Sequence, residues 1–206
     1  REWDRLDIHI ASGVVKFNSM SAREARLRVT AGKLESKRLA IKEELELSLK
    51  SGNIILEDVA CGTADIDVTS GGVRLSSFTA QKIKTTVTSG SVKGRRVDSE
   101  HLSTRTTSGT IVMEGSFKVL SQNCTSGSSR IETDRLPEKL EADVLSGSIR
   151  YCLPINSHFD AEYKKSSGTI KSDFGHSFSQ GGGITGSGTP LYWLKTTSGT
   201  IRLGAN

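Results

Sequence analysis

A Ser-Gly dipeptide recurs along this chain at an almost fixed interval, and no other feature restricts the fold as strongly. Its glycines are Gly13, Gly52, Gly71, Gly90, Gly109, Gly127, Gly147, Gly168 and Gly199, with Ala31-Gly32 filling the one gap. Successive steps are 19, 20, 19, 19, 19, 18, 20, 21 and 31 residues. Ten units therefore cover almost all of the 206 residues. Self-similarity at such a period marks a stack of supersecondary units, none of which can bury its apolar face alone.

Reading outward from each glycine gives the local structure. Positions five and three before it, and two and four after it, hold apolar residues at thirty of forty places, whereas the interleaved positions hold four in forty. This alternation of period two belongs to strands with one buried face. Each unit reads as strand, Ser-Gly bend, strand and second bend. A further apolar position (Met20, Leu39, Val59, Phe78, Val97) suggests a third short side. The bend glycine is required where the backbone takes positive φ or two chains approach closely. Composition agrees: 21 Gly, 3 Pro and 5% aromatic residues suit neither a helical bundle nor collagen. The helix-like stretch at 36–47 keeps the repeat frame and belongs to the coils.

The expected fold is all-β: a single-stranded parallel β-helix (solenoid) of about ten coils of about 19 residues. An antiparallel sandwich would alternate too, but has no reason to keep a glycine in phase. No strict hexapeptide rule of the left-handed kind is visible, so right-handed winding is expected. The chain reads as one domain over 1–206, with an irregular Gly-rich insertion at about 174–192 before the last coil. The run Gly181–Gly188 lacks a phosphate-loop ending and reads as a hairpin or lid. No apolar run is long enough to span a membrane. The chain opens on Arg1, so a signal peptide, anchor or upstream domain is expected to have preceded it. The first coil exposes a strand edge, so a partner, an upstream domain or an end-to-end homodimer is expected there.

The segments TSGSV, TTSGTI, LSGSIR, SSGTIK and TTSGTIRL resemble the adhesin β-repeat family, bacterial domains of unknown function with serial T-S-G-x-I repeats. The resemblance covers about residues 7–204 and implies a β-helix and a cell-envelope or extracellular setting. It implies no catalytic residues.

Chemistry-bearing patterns are few. Three residues after the corner glycines lies a column in which Lys16, Arg74, Lys93, Arg130, Arg150, Lys171 and Arg202 are basic. Adjacent like charges repel, so such a stripe suits docking of an anionic glycan or cell-wall polymer. Its alternative is a solvated sheet face, favoured by acidic Glu57, Glu114, Glu132 and Asp173 two residues on. No aromatic residues interleave with it, against nucleic acid. A threonine column (Thr30, Thr69, Thr88, Thr107, Thr125, Thr197) lacks the second rank an ice-binding face needs and follows from β-propensity. Glu46, Asp65 and Asp67 form the one carboxylate patch that a polysaccharide-active β-helix enzyme would use, but Lys84 makes it an ordinary charge ladder and no long loops wall it. Cys124 falls in a core column and Cys152 at an outward position, a candidate surface thiol. The four histidines do not converge on a metal site. The expected function is a non-catalytic structural, adhesive or scaffold module without cofactors.

Overall fold

A computed structural model describes residues 3–174 and 190–206, which contain strands and no helix. In chain order the strands are β1 (Trp3–Ile10), β2 (Val14–Phe17), β3 (Met20–Val29), β4 (Lys33–Ser36), β5 (Leu39–Ile41), β6 (Glu44–Leu49), β7 (Asn53–Val68), β8 (Gly72–Val87) and β9 (Ser91–Thr106). They continue as β10 (Thr110–Cys124), β11 (Ser128–Thr133), β12 (Lys139–Val144), β13 (Ser148–Leu153), β14 (Asp160–Lys165), β15 (Thr169–Ser172), β16 (Leu191–Thr196) and β17 (Thr200–Ala205). Their ladders join them in one parallel β-solenoid. The insertion at about 174–192, including the hairpin or lid expected at Gly181–Gly188, lies almost wholly outside the described residues.

The Ser-Gly corners line up as the period requires. Backbone amides just past one corner donate to the glycine carbonyl of the coil before: Lys33 to Gly13, Asn53 to Gly32, Ser148 to Gly127, each within 3.0 Å. Two physical demands keep glycine there. At Gly52 the backbone sits at φ +100°, and a Cβ would lie 2.1 Å from the Gly32 carbonyl oxygen. At Gly147 φ is ordinary, yet a Cβ would stand 2.4 Å from the Gly127 carbonyl oxygen. The second corner uses side-chain-bearing residues in the left-handed region, Asp58, Ser77 and Arg96 at φ 51–54°, one above another in consecutive coils.

Inside the coils the alternating columns form a continuous core. Leu27, Leu47, Ile66, Ile54, Val73, Val92 and Ile111 are all at most 1% exposed. At roughly 25 cal/mol per Å² this burial is the main stabilising term. The third short side holds Leu39, Val59, Phe78 and Val97, also buried. The stretch at 36–47 runs through the end of β4, β5 and the start of β6 with short bends between them, as the repeat frame demands.

The order of the last coils departs from the chain order that simple winding implies. Eight corners, Gly13 to Gly147, stack in sequence, about eight turns of solenoid. The next corner in space is Gly199, and Gly168 comes last: Thr200 N–H donates to Gly147 O, and Thr169 N–H donates to Gly199 O. Thus β16 lies between β12 and β14, and β17 between β13 and β15. The terminal coil is inserted between its two predecessors.

Inward residues explain the exchange. In the inserted coil Tyr192, Leu194, Ile201 and Leu203 are fully buried. In the displaced coil the equivalent columns hold buried Ala161 and Ile170, but also half-buried Tyr163, exposed Lys165 and half-buried Ser172. Placing Lys165 between two coils would strand a charge in the core. The polar coil takes the end, and the apolar coil takes the interior.

Candidate functional site

Every member of the predicted basic column is in register with the next. From the N-terminal end it runs Lys16, Glu35, Ile55, Arg74, Lys93, Val112, Arg130, Arg150, Arg202, Lys171. Each residue points outward, because its neighbours on both sides along the chain occupy the inward-facing columns. The insertion of the last coil sets Arg202 between Arg150 and Lys171.

The seven cations are not equivalent. Lys16 contacts Glu35 at 2.7 Å, and Lys33 contacts the same carboxylate. Hydrogen bonds from these two lysines hold the Glu35 carboxyl down to about 2. The N-terminal end of the column is therefore neutralised. Arg74 and Lys93 form a separate pair, cut off by Ile55 and Val112.

Arg130, Arg150, Arg202 and Lys171 run uninterrupted over four rungs, about 14 Å at the spacing of paired strands. Arg130 is bound to Glu132 at 3.0 Å and Arg202 to Asp173 at 3.0 Å. Arg150 and Lys171 have no acidic partner among the described residues. A shallow groove of about 340 Å³ runs between these side chains, with Ser148, Thr200 and Thr169 along its edge. The hydroxyl rim follows directly after the corner glycines and is visible in sequence as the recurring Ser-Gly-Ser/Thr, which the outward-column reading passed over. Cations plus hydroxyl donors make a surface suited to phosphate or carboxylate groups repeated along a chain.

Glu46 and Asp65 are in-register neighbours, as their spacing predicts, and Asp67 lies two residues beyond Asp65, opposite Ser48. Each of the first two is engaged by a cation: Arg26 and Arg28 on Glu46, and Lys84 on Asp65 at 2.9 Å. The Asp65 contact raises the Lys84 pKa, through its hydrogen bond first and its charge second. The recess beside them is about 250 Å³ and is lined by Glu44, Thr63, Lys82 and His101 among others.

The cysteines need one correction. Cys124 is a core residue, 1% exposed, donating to the Gly127 carbonyl at 3.1 Å. Cys61 is partly buried, and burial pushes its thiol up to about 12. Cys152 is not the surface thiol its outward position predicts: it is 7% exposed, and burial raises its pKa. Its in-register neighbours are Glu132 and Gly204, the latter with no side chain to hold a space open, and Arg130, Arg150 and Arg202 lie beside it. Three consecutive residues, Tyr151, Cys152 and Leu153, are buried, so alternation fails there.

His9, His101 and His158 are far apart in the fold, while His176 lies outside the described residues. No group of three or more His, Cys, Asp or Glu side chains suited to a metal occurs among the described residues. No helix among them is long and apolar enough to cross a membrane.

No curated protein and no solved structure matches the chain significantly. A family sequence model does match, over residues 1–204, and the parallel stack of short coils seen here fits the name it carries. The chain accordingly belongs to the family described as Toastrack DUF4097, a domain family of unknown function.

Proposed function

We propose that this chain is a non-catalytic β-solenoid module of the cell envelope or extracellular space, a rigid structural, adhesive or scaffold element that holds an extended anionic surface polymer. The observation that carries the reading is the four-rung column Arg130, Arg150, Arg202 and Lys171, of which Arg150 and Lys171 have no acidic partner among the described residues, and of which Arg150, Arg202 and Lys171 line a hydroxyl-rimmed groove. Cations at a fixed rise match a polymer with regularly repeated charge better than they match a compact ligand. The rigid parallel stack supplies that spacing without ordering cost on binding. The envelope setting rests on the serial T-S-G-x-I resemblance. The non-catalytic reading is supported by the commitment of Glu46 to Arg26 and of Asp65 to Lys84.

The test is binding of a fluorescent poly(glycerol phosphate), with a neutral glycan as control, at low and high salt. Binding that weakens with salt is expected, because exposed charges are screened. Arg150→Glu combined with Lys171→Glu should weaken it by about tenfold or more. Unchanged affinity in that double variant, or equal binding of the neutral glycan, contradicts the reading. Clearing of cell-wall polysaccharide by the wild type, lost in Asp65→Asn, would overturn the non-catalytic part.

A further inference from the structure

We propose that the basic groove selects, among anionic polymers, an extended glycan that carries an acidic group on every second sugar. This rests on the reading of the column as a polyanion site and adds the spacing of the charges. Along the run Arg130, Arg150, Arg202 and Lys171, engaged and free cations alternate. Arg130 donates to Glu132 at 3.0 Å, and Arg202 donates to both oxygens of Asp173 at 3.0 and 3.1 Å. Arg150 and Lys171 are exposed and have no acidic partner among the described residues. Residues 175–189 contain no Asp or Glu that could supply one. The cations open to a ligand therefore stand two rungs apart, about 9.6 Å at the spacing of paired strands.

The alternation follows from the column two residues further along each strand. Beside Arg130 it holds Glu132, but beside Arg150 it holds the buried thiol of Cys152 and beside Arg202 it holds Gly204. Asp173, two residues past Lys171, is turned to Arg202 instead. A compact anion can reach one free cation, whereas a ligand that reaches both needs two charges separated by two rungs. The rest of the groove reads the units between them. Ser148, Thr200 and Thr169 stand in register, one per rung, each two residues before its cation. The groove thus offers a hydrogen-bonding group at every rung and a free charge at every second rung. An extended chain of six-membered sugar rings advances by close to one rung per sugar, so each ring meets one hydroxyl and every second ring meets a free cation. The Arg202–Asp173 pair, neutral as a unit, faces the uncharged sugar. A polyphosphate packs its charges more closely and has no neutral unit to set opposite that pair.

Two synthetic tetrasaccharides of equal charge test this, titrated by NMR beside poly(glycerol phosphate). One carries uronic acids at the first and third positions, the other at the second and third. The alternating isomer is expected to bind about tenfold more tightly. Arg150→Gln or Lys171→Gln should each lower its affinity to that of the other isomer, because one of two linked contacts is lost. Arg202→Gln combined with Asp173→Asn removes the intervening pair at unchanged net charge and should alter the affinity less than about threefold. Equal binding of the two isomers, or a loss in the Arg202 and Asp173 double variant as large as in Arg150→Gln, overturns the spacing. So does poly(glycerol phosphate) that binds where neither tetrasaccharide does. In each of these cases salt-sensitive binding of poly(glycerol phosphate) leaves the polyanion reading standing, whereas binding of none of the three overturns both.

Discussion

At the scale of single residues the corners decide the fold. Gly147 is held by proximity alone, so Gly147→Ala drives a methyl against both the Gly127 carbonyl and the Cys124 sulfur, 2.4 and 2.5 Å away. A loss of about 2–4 kcal/mol is expected, as for overpacking at a site with backbone on one side, and urea denaturation measures it. Ser77→Gly should behave oppositely. It relieves a left-handed conformation at φ 52° for the loss of one exposed hydrogen bond from Arg96, and should be neutral or stabilising by up to about 1 kcal/mol. Glu35 supplies a pH signature. Its carboxyl falls from 4.5 to about 2 in the fold, so the stability it contributes is complete above 4.5 and disappears as pH falls toward 2. The stability difference between wild type and Glu35→Gln should therefore shrink on acidification across that window. A constant difference would mean that Lys16 and Lys33 do not hold the carboxylate.

Among elements, the alternation inside each strand and the phase of the corners are legible in sequence, because both follow from a side-chain period of two and a backbone contact that excludes Cβ. The order of the last two coils is not legible from those signals. SSGTIKS and TSGTIRL fit equally well beside the Gly147 corner. What separates them is the inward set: Tyr163, Lys165 and Ser172 against Leu194, Thr196 and Leu203. Lys165 in a core column is the mark of a terminal coil, and it could have been read as one. Cys152 was equally hidden, since its burial depends on the inserted coil that brings Gly204 alongside. The displaced coil is held by an aromatic cluster in which Phe159 meets Phe174 edge-on at 5.4 Å and stacks on Tyr192 at 4.8 Å. Phe159→Ala should cost about 3–5 kcal/mol locally. Hydrogen exchange should show that loss in β14, β15 and β16 and leave β7 to β10 protected. Uniform loss across all coils would mean that the stack unfolds as a unit.

For the whole molecule, the basic column shows how function-bearing geometry can be partly visible beforehand. The cationic positions are evident from the period, but their division into a neutralised end, an isolated pair and a run of four depends on side-chain partners that the period does not contain. The arrangement rests throughout on parallel coils in register, with the C-terminal coil lying between the coils of Gly147 and Gly168. Disulfide formation tests that most directly, in a background with Cys61, Cys124 and Cys152 replaced by Ser. Arg150 and Arg202 occupy neighbouring rungs, about 4.8 Å apart, whereas Arg150 and Lys171 are two rungs apart, about 9.6 Å. Cysteines can be joined only when their Cα atoms are closer than about 7 Å. The account predicts that the pair Arg150→Cys with Arg202→Cys oxidises to a disulfide and that Arg150→Cys with Lys171→Cys does not. The reverse result would place the coils in chain order, and a disulfide in neither pair would contradict the parallel in-register stack itself.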